Sequence, residues 1–483
     1  MLLDLARWQF GFTTVFHFIF VPLTIGLSAY VALMQTQWVR TADDQYLRMT
    51  KFWGTLLLVN FGIGIATGIV QEFQFGMAWS AYSRYVGDVF GAPLAMEGLA
   101  AFFLESVFLG VWIFGWQHLP KRLHLASIWL VFAGTNLSAY FILAANAWMQ
   151  NPVGFEIDPE TGNAVLTSIW AVLSSPTALF AYGHTIPAAL LTASGLIAGI
   201  SIWHLGRRPG HETAFFRRSA LWGLRGMLAT ALVTIVVGHF FAQYMTEKQP
   251  MKMAAAEALY ETERGASLSL MTIAPLEKKP HRPTFELKIP KLASFMATND
   301  PDGEVRGIDD LQAEAKQRYR QYELDRGRDP EKAEYYPIVG VTYWSFRAMM
   351  GLGIWMAAFA AVGLLAMRRS RTPFEELVAR TWVRRAALLT LAAGFVGHAA
   401  GWIFTEMGRQ PWAVTGLLKT EDAVSRFGVE NLVISLSVFV VLYTAIGAIE
   451  YRLFARLARK GPDPLDEDDP GAPGAAAVPT LSY

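Results

Sequence analysis

Several side chains that can ionise or bind a metal lie within apolar stretches of the sequence. They are His17, Glu97, Glu105, His184, His239, Arg347, Met349, His398 and Glu406. A charged side chain at the centre of a membrane helix costs about 2.5–3.5 kcal/mol on insertion scales, so such residues normally face a bundle interior and mark functional sites. The pattern therefore predicts a buried site for metal binding or proton transfer.

The types of ligand favour haem iron over other metal centres. The sequence contains no cysteine, which excludes disulfides, thiolate-ligated haem, iron–sulfur clusters and c-type haem attachment. Histidine, methionine and carboxylate side chains remain, and a His/Met pair raises the potential of a haem. Copper is disfavoured because no two histidines are adjacent. The structural alternative is a hydrogen-bonded core histidine, which we predict for His239 and His398, and a packing role for Met349.

Two sets of carboxylates have informative spacing. Glu97 and Glu105 are eight residues apart, about 80° around a helix, so both can face one cavity, as a proton path requires. Trp402, Glu406 and Arg409 lie on one helix face. Two interpretations of this second set remain: a catalytic group, or an interfacial Trp/Arg anchor with a Glu–Arg ion pair.

The composition is that of a membrane protein. Of 483 residues, 53% are hydrophobic and 17% are charged, against about 25% charged in soluble domains. The net charge of +1 argues against nucleic acid as a partner. Segments of about 20 apolar residues span a bilayer, and this rule predicts nine helices near residues 10–36, 52–77, 92–115, 123–147, 178–203, 219–243, 337–367, 386–406 and 428–451.

The distribution of basic residues predicts the orientation of these helices. One set of short loops and the tail carries 19 Lys and Arg residues, and the opposite set carries only 4. Because Lys and Arg accumulate on the cytoplasmic side, we expect the N-terminus outside and the C-terminus inside. The predicted fold is an all-α, multi-pass integral membrane protein.

Four regions follow from this topology. Residues 1–243 form six transmembrane helices, and residues 244–336 form a long, hydrophilic extracytoplasmic segment with 15 basic and 17 acidic residues. Residues 337–455 form three more transmembrane helices. The composition of residues 456–483, rich in Pro, Gly and acids, predicts a disordered cytoplasmic tail.

Long motifs in the chain resemble the signature segments of subunit I of cytochrome bd quinol oxidase. The similarity runs through all nine predicted helices and is weakest in 264–336 and in the tail. The motifs are "QFGFTTVFHFIFVPLTIG", "EFQFGMAWSAYSRYVGDVFGAPLAMEGLAAFFLES", "NPVGF", "FRAMM" and "GWIFTEMGRQPW".

The resemblance implies three haems and their ligands. His184 and Met349 match the axial ligands of a low-spin b haem, and His17 and Glu406 match the ligands of two high-spin haems. These would be one b haem and one haem d. The short extracytoplasmic loop resembles a branch that includes cyanide-insensitive members, in which a b haem can take the place of haem d. Arg347 is expected near the low-spin haem. Since it lies 200° from Met349 on a helix, it would meet a propionate or an adjoining face.

The resemblance also assigns residues to protons and to quinol. Glu97 and Glu105 match the acids of the proton route, and Trp402 matches a tryptophan beside the haems. Lys252 and Glu257, in "QPMKMAAAEALYE", match residues of the quinol loop. Arg409 joins Glu97, Glu105 and Trp402 in the predicted catalytic group.

The implied activity is that of a terminal respiratory oxidase in the bacterial cytoplasmic membrane. Quinol would be oxidised on the outer side, and electrons would pass through the low-spin b haem to the high-spin pair, where O2 is reduced to water. Protons would come from the cytoplasm without pumping. The implied partners are quinol, O2, membrane lipid, subunit II and small accessory subunits. Two other functions compatible with the residues are a transporter with intramembrane carboxylates and a di-haem cytochrome b.

Overall fold

The computed structural model describes residues 1–208, 210–273, 284–369 and 373–464. In chain order the helices are α1 (Leu2–Thr41), α2 (Asp44–Met77), α3 (Ser80–Met96), α4 (Phe103–Phe114), α5 (Lys121–Gln150), α6 (Ile169–Leu173), α7 (Pro176–Arg207), α8 (Thr213–Lys248), α9 (Pro250–Glu257), α10 (Leu292–Thr298), α11 (Ile308–Arg318), α12 (Arg320–Leu324), α13 (Val339–Arg369), α14 (Phe374–Ala379), α15 (Thr381–Met407), α16 (Thr420–Ala423) and α17 (Val429–Lys460). A π-helical segment, Glu97–Phe102, joins α3 to α4, and Pro330–Lys332 form a 3₁₀ turn.

The strands are short and pair antiparallel in twos. They are β1 (Phe155–Ile157), β2 (Ala164–Leu166), β3 (Glu263–Arg264), β4 (Leu268–Ile273), β5 (Phe285–Ile289), β6 (Glu304–Val305), β7 (Trp412–Val414) and β8 (Leu418–Lys419). The pairs are β1–β2, β3–β6, β4–β5 and β7–β8. All of them lie in connections between long helices, so the fold remains essentially all-α.

Nine of the helical segments in the described part of the chain are long and apolar enough to cross a membrane, which confirms the predicted number. They are α1, α2, α3–α4 taken together, α5, α7, α8, α13, α15 and α17. Most extend beyond the predicted bounds, because the prediction counted only the apolar run, whereas helical hydrogen bonding continues past the edge of the hydrocarbon layer. The predicted tail is also too long at its start: α17 continues to Lys460, and residues 465–483 lie outside the described part.

The connections fall into two groups at opposite ends of the bundle. At one end, Thr415 N donates a hydrogen bond to Met149 O at 3.0 Å, which joins two loops predicted to lie outside. At the other end, Arg218 and Asp43 form an ion pair at 2.5 Å, which joins two loops predicted to lie inside. The two contacts agree with the predicted grouping of the connections, and the topology in the membrane stays a prediction. The end of the bundle that holds Met149, Thr415 and the long 244–336 loop is called the loop end.

Helix α7 lies at the centre of the bundle, where small residues allow close packing. Of its apolar window, 72% is buried, against 11% for α13 and α17. Gly223 of α8 illustrates the close approach: a methyl group there would lie 2.6 Å from the backbone nitrogen of Ala198. Such contacts between small residues replace the hydrophobic driving force that helices lack within lipid. The peripheral helices present their apolar side chains outward.

Candidate functional site

A largely apolar cavity of about 390 Å³ lies among α1, α2, the α3–α4 segment, α5 and α15. Five residues predicted from the sequence line it together, namely His17, Glu97, Glu105, Trp402 and Glu406. The remaining lining is mainly Phe, Leu, Ile, Val, Gly and Ala, with a few hydroxyl and amide groups. A large apolar space with few convergent polar groups is typical of a cofactor site.

His17 is held in one tautomer by Thr67. The Thr67 hydroxyl donates to the carbonyl of Ile63 at 2.9 Å and lies 2.9 Å from His17 Nδ1. When the hydroxyl donates to that carbonyl, His17 Nδ1 is the donor to the hydroxyl oxygen, and Nε2 keeps a free lone pair. A histidine fixed through one ring nitrogen is the usual arrangement for metal ligation through the other.

Glu406 lies in the last turn of α15 and has partners on both carboxylate oxygens. Asn146 Nδ2 donates to Oε1 at 2.7 Å, and Arg409 Nη2 donates to Oε2 at 2.5 Å. The ion pair anticipated as the structural alternative therefore exists. Glu406 nevertheless lines the cavity, whereas Arg409 does not line it. The ion pair and a role at the cavity are therefore compatible.

Glu97 and Glu105 both reach the cavity, as their spacing predicted. Ser138 Oγ donates to Glu97 Oε1 at 2.7 Å, and Glu105 is only 9% exposed. The segment that begins at Glu97 is a π-helix. This backbone arrangement is rare overall, and it is often found at functional sites. Sequence analysis misses Glu72, which lines the same cavity, although it is also an acid within a predicted span.

His184 and Met349 lie outside this cavity, in the bundle between α7, α8, α13 and α15. The ring of His184 lies 6.3 Å from that of Phe241, and Phe241 packs in one apolar cluster with Met349. Each side chain lies against a glycine. A methyl on Gly238 would lie 3.0 Å from His184 Cε1, and one on Gly401 would lie 2.9 Å from Met349 Sδ. A larger residue at either position would collide with the candidate ligand, so the two glycines allow both side chains to pack closely.

The two other candidate histidines each have a hydrogen-bonding neighbour at one ring nitrogen, and Nε2 of His398 is buried without a partner in the described residues, so the structural role predicted for them stays a prediction. His398 Nδ1 lies 3.0 Å from the hydroxyl of Thr192. His239 Nε2 lies 3.2 Å from Asn299 Oδ1, at the surface of α8. His239 is therefore at the edge of the bundle and does not belong to the candidate site.

Arg347 and Glu257 form a buried ion pair that was not predicted. Arg347 Nη2 donates to Glu257 Oε2, and Arg347 Nε donates to the carbonyl of Ser269 at 2.5 Å. Burial raises the pKa of the Glu257 carboxyl, and Arg347 opposes that shift. Arg347 Nη1 is buried without a partner in the described residues, so one donor remains for a further group.

Lys252 lies on the opposite side of α9 from Glu257. It is 3% exposed, and its Nζ donates to Gln150 Oε1 at 2.7 Å. Burial, with a further contribution from Arg409, lowers the pKa of Lys252 to about 7. Lys252 therefore faces the Glu406 side of the protein, whereas Glu257 faces Arg347, and the two predicted quinol residues do not meet at one point.

Lys252 and Arg409 line a second cavity of about 240 Å³ at the loop end of the bundle. Its walls come from the end of α8, from α9 and α11, and from the segment after α15. Tyr319, Tyr335 and Trp412 contribute aromatic surface. The cavity is more polar than the first and lies beside the loop.

The ligand set fits haem better than a metal ion held by protein alone. Within the ranges that the structure describes, no three His, Asp or Glu side chains converge as a metal site would require. The candidate ligands do not form a cluster: His17 and Glu406 line the cavity, and His184 and Met349 lie outside it. Single axial ligands beside apolar space suit a porphyrin, which supplies the other four ligands itself.

Comparisons with known proteins find similar chains along almost the whole length of this one. The family model described as cytochrome bd terminal oxidase subunit I matches residues 5–462. "Cytochrome bd ubiquinol oxidase subunit 1" of Bacillus subtilis is 43% identical over 460 residues, covering 95% of this chain and 94% of that protein. "Cytochrome bd-II ubiquinol oxidase subunit 1" of Escherichia coli is 37% identical, covering 97% and 98%. A chain of the bd oxidase from Geobacillus thermodenitrificans has a TM-score of 0.83 and 25% identity, covering 95% of this chain and 99% of its own length.

Proposed function

This chain belongs to the family of cytochrome bd terminal oxidase subunit I, and on that premise we propose that it oxidises quinol at the loop end of the bundle and reduces O2 to water within it. Two quinols supply four electrons to one O2, which takes up four protons to give two waters. The observation that carries the proposal is the single cavity shared by His17, Glu97, Glu105, Trp402 and Glu406. The protein is a multi-pass protein of the bacterial cytoplasmic membrane.

The residues proposed to hold the haems are two that line the cavity, His17 and Glu406, and two that lie outside it, His184 and Met349. His184 and Met349 would hold a low-spin b haem, and His17 and Glu406 would hold two high-spin haems, a b haem together with haem d or a second b haem. The haems supply one-electron carriers and the iron that binds O2. Trp402 would pack beside them in the cavity, and Arg409 would orient the Glu406 carboxylate through its ion pair.

Quinol would bind at the loop end beside α9, whose two sides present different groups. The buried pair of Arg347 and Glu257 offers a charged donor and an acceptor for a quinol hydroxyl. Lys252, with its pKa of about 7, offers a group that can gain or lose a proton near neutral pH. The protons of quinol would leave at this end of the bundle.

Protons for water would arrive from the opposite end. Glu97 and Glu105 both line the cavity, and Glu105 follows Glu97 along the segment from α3 to α4, further from the loop end. We propose that protons pass from Glu105 to Glu97, with Ser138 orienting Glu97. Uptake from one side and release on the other would make the reaction electrogenic without a pump. Subunit II and small accessory subunits would complete the complex.

The test is the haem content and O2 uptake of the purified complex. A pyridine haemochrome spectrum should show haem, and quinol should drive O2 uptake. In His17→Ala and in Glu406→Ala, high-spin haem should fall while the low-spin signal remains. His118→Ala, at an exposed position, serves as a matched control and should behave as wild type. A complex without haem would favour a transporter, and haem without O2 uptake would favour a di-haem cytochrome b.

A further inference from the structure

The β4–β5 hairpin in the long loop has its polar and apolar faces reversed relative to a hairpin in water. Two apolar cross-strand pairs, Met271 with Leu287 and Ile273 with Phe285, form its outward face. These four side chains are 38%, 52%, 51% and 49% exposed. A sheet with one face in water normally turns its polar side chains outward. The outward face of this hairpin is therefore made for a nonpolar environment.

The inward face of the hairpin is polar and is bonded to α13. Ser269 Oγ lies 2.5 Å from Thr272 Oγ1 and 2.8 Å from the Tyr343 hydroxyl. The carbonyl of Ser269 accepts the bond from Arg347 Nε. Both Ser269 and Thr272 are buried. These bonds fix which face of the hairpin turns outward, so the apolar exposure is a consequence of specific contacts.

A second attachment joins the neighbouring helix α10 to α8. Asn299, which follows α10, lies within hydrogen-bonding distance of His239, and the ring of Phe295 stacks 6.4 Å from the His239 ring. Phe295 is itself exposed on its outer side. Helix α10 and the hairpin thus sit side by side against two transmembrane helices.

Both attachments lie next to exposed apolar side chains of α8 and α13. On α8, exposed apolar residues continue from Leu232 to Phe240, next to His239, and the following turns carry Gln243 and Glu247. On α13, the exposed Trp344 lies beside Tyr343, and tryptophan is enriched at membrane–water interfaces. Through α10 and α13, the hairpin is thus attached next to exposed apolar side chains of two helices that are apolar enough to cross a membrane.

We propose that the β4–β5 hairpin and α10 form an interfacial membrane element, whose outward apolar side chains rest against the acyl chains at the loop end of the bundle. Exposed apolar patches of this kind mark interaction surfaces, and amphipathic elements lie in the interface with their apolar face inserted. The occupant is lipid because the patch is attached next to exposed apolar side chains of helices that are apolar enough to cross a membrane. The loop is thus partly a membrane-surface structure, and this inference does not depend on the proposed activity.

The absence of cysteine in the chain makes a direct test possible. Nitroxide labels would be attached to Leu287→Cys and Phe285→Cys in the whole complex in lipid nanodiscs, with the unsubstituted complex as background. Power saturation then compares accessibility to O2, which concentrates in lipid, with accessibility to a water-soluble nickel chelate. Val236→Cys, on the exposed face of α8, is the lipid control, and Glu160→Cys, in an exposed turn, is the water control.

The proposal expects Leu287 and Phe285 to show the high ratio of O2 to nickel accessibility found at Val236. A ratio like that of Glu160 would overturn it, because the hairpin would then face water. Low accessibility to both reagents would also overturn it, because a partner protein would then cover the patch. A lipid-soluble diazirine applied to the unsubstituted complex gives an independent measurement, and it should label the β5 segment.

Discussion

Lys252 buries an ammonium group at the loop end, next to Gln150 and within the field of Arg409. Because burial lowers its pKa to about 7, the side chain is protonated below that pH and neutral above it. If the neutral amine accepts a proton from quinol, the rate of quinol oxidation should rise as the pH increases through about 7. Lys252→Arg stays charged throughout and should lose this rise.

The measurement is kcat/KM for quinol against pH, with haem content determined for each variant. Lys252→Ala should impair quinol oxidation at all pH values, and so should Glu257→Ala, while artificial donors that bypass quinol still support O2 uptake. Identical pH profiles for wild type and Lys252→Arg would rule out the protonation role. Loss of haem in these variants would instead indicate a structural role.

His184 and Met349 should both be needed for the low-spin haem signal, because a six-coordinate iron requires two axial ligands. We expect His184→Ala and Met349→Ala each to remove that signal from the reduced-minus-oxidised spectrum. His204→Ala is the matched control, since His204 is a buried histidine of the same helix α7 whose Nε2 lies 2.7 Å from the carbonyl of Ala458. The assignment fails if the low-spin spectrum survives either ligand substitution.

Residue types within the apolar segments predicted candidate ligands, but not which of them share one cavity, nor their hydrogen-bond partners. His17 and Glu406 line the cavity, whereas His184 and Met349 lie outside it. Asn146, which binds Glu406, was not predicted, since it lies 260 positions away. Such a pair depends on how α5 and α15 are rotated and packed. Hydropathy gives the depth of a residue along its helix, and it does not give that rotation.

At the scale of elements, a buried charge cluster fastens the second half of the long loop to the segment after α15. Glu323, from α12, is 1% exposed. It forms ion pairs with Lys419 Nζ at 2.5 Å and Arg328 Nε at 2.8 Å, and it accepts a hydrogen bond from the Tyr335 hydroxyl at 3.1 Å. Burial acts to raise the pKa of Glu323, but these partners outweigh it and hold the pKa below its usual range. The attachment is therefore fully present above about pH 4.5 and weakens as the pH falls below that value.

Breaking this cluster should release the loop locally. Lys419→Met leaves the buried Glu323 carboxylate with fewer partners, at a cost of about 3 kcal/mol, the lower end for a broken buried pair. The double variant Lys419→Met/Glu323→Leu removes both charges and should recover most of the loss. Hydrogen exchange of residues 308–335 in the complex would measure the change. Equal loss of protection in the single and double variants would contradict the ion-pair explanation.

The elements themselves were predicted unequally. Apolar runs predicted all nine long helices, because a run of about 20 apolar residues has few alternatives in a membrane. The loop, from 244 to 336, was predicted as uniformly hydrophilic from its charge count. That count is an average over the segment, so it does not reveal β4 and β5. Apolar and polar residues alternate in β5, and they alternate in β4 except at the bulge near Met271. Alternation predicts a strand, but the sequence does not indicate that the apolar face points away from the protein.

At the scale of the whole molecule, the two ends of the bundle are assigned to different halves of the reaction. Groups proposed for quinol lie at the loop end, and Glu105 lies about 12 Å deeper than Glu97 along the same helical segment at 1.5 Å per residue. The sequence predicted that the long loop lies at the end opposite to the basic connections, because Lys and Arg accumulate on the cytoplasmic side. The proton route itself rests on the cavity, which only the packed structure reveals.

Glu105→Gln should therefore slow O2 reduction and charge movement while leaving the reduction of the haems by quinol nearly normal. Glutamine keeps the shape and hydrogen bonding of the side chain but cannot take up and pass on a proton. Only the step that consumes protons from the far end should stall.

In proteoliposomes, haem oxidation after O2 addition would be followed together with membrane potential. Glu450→Gln, at a buried carboxyl of α17 that does not line the cavity, is the matched control and should leave both signals unchanged. Wild-type turnover with wild-type charge movement in Glu105→Gln would exclude the proposed route, and a loss of haem would point to a packing role for Glu105 against Gly134.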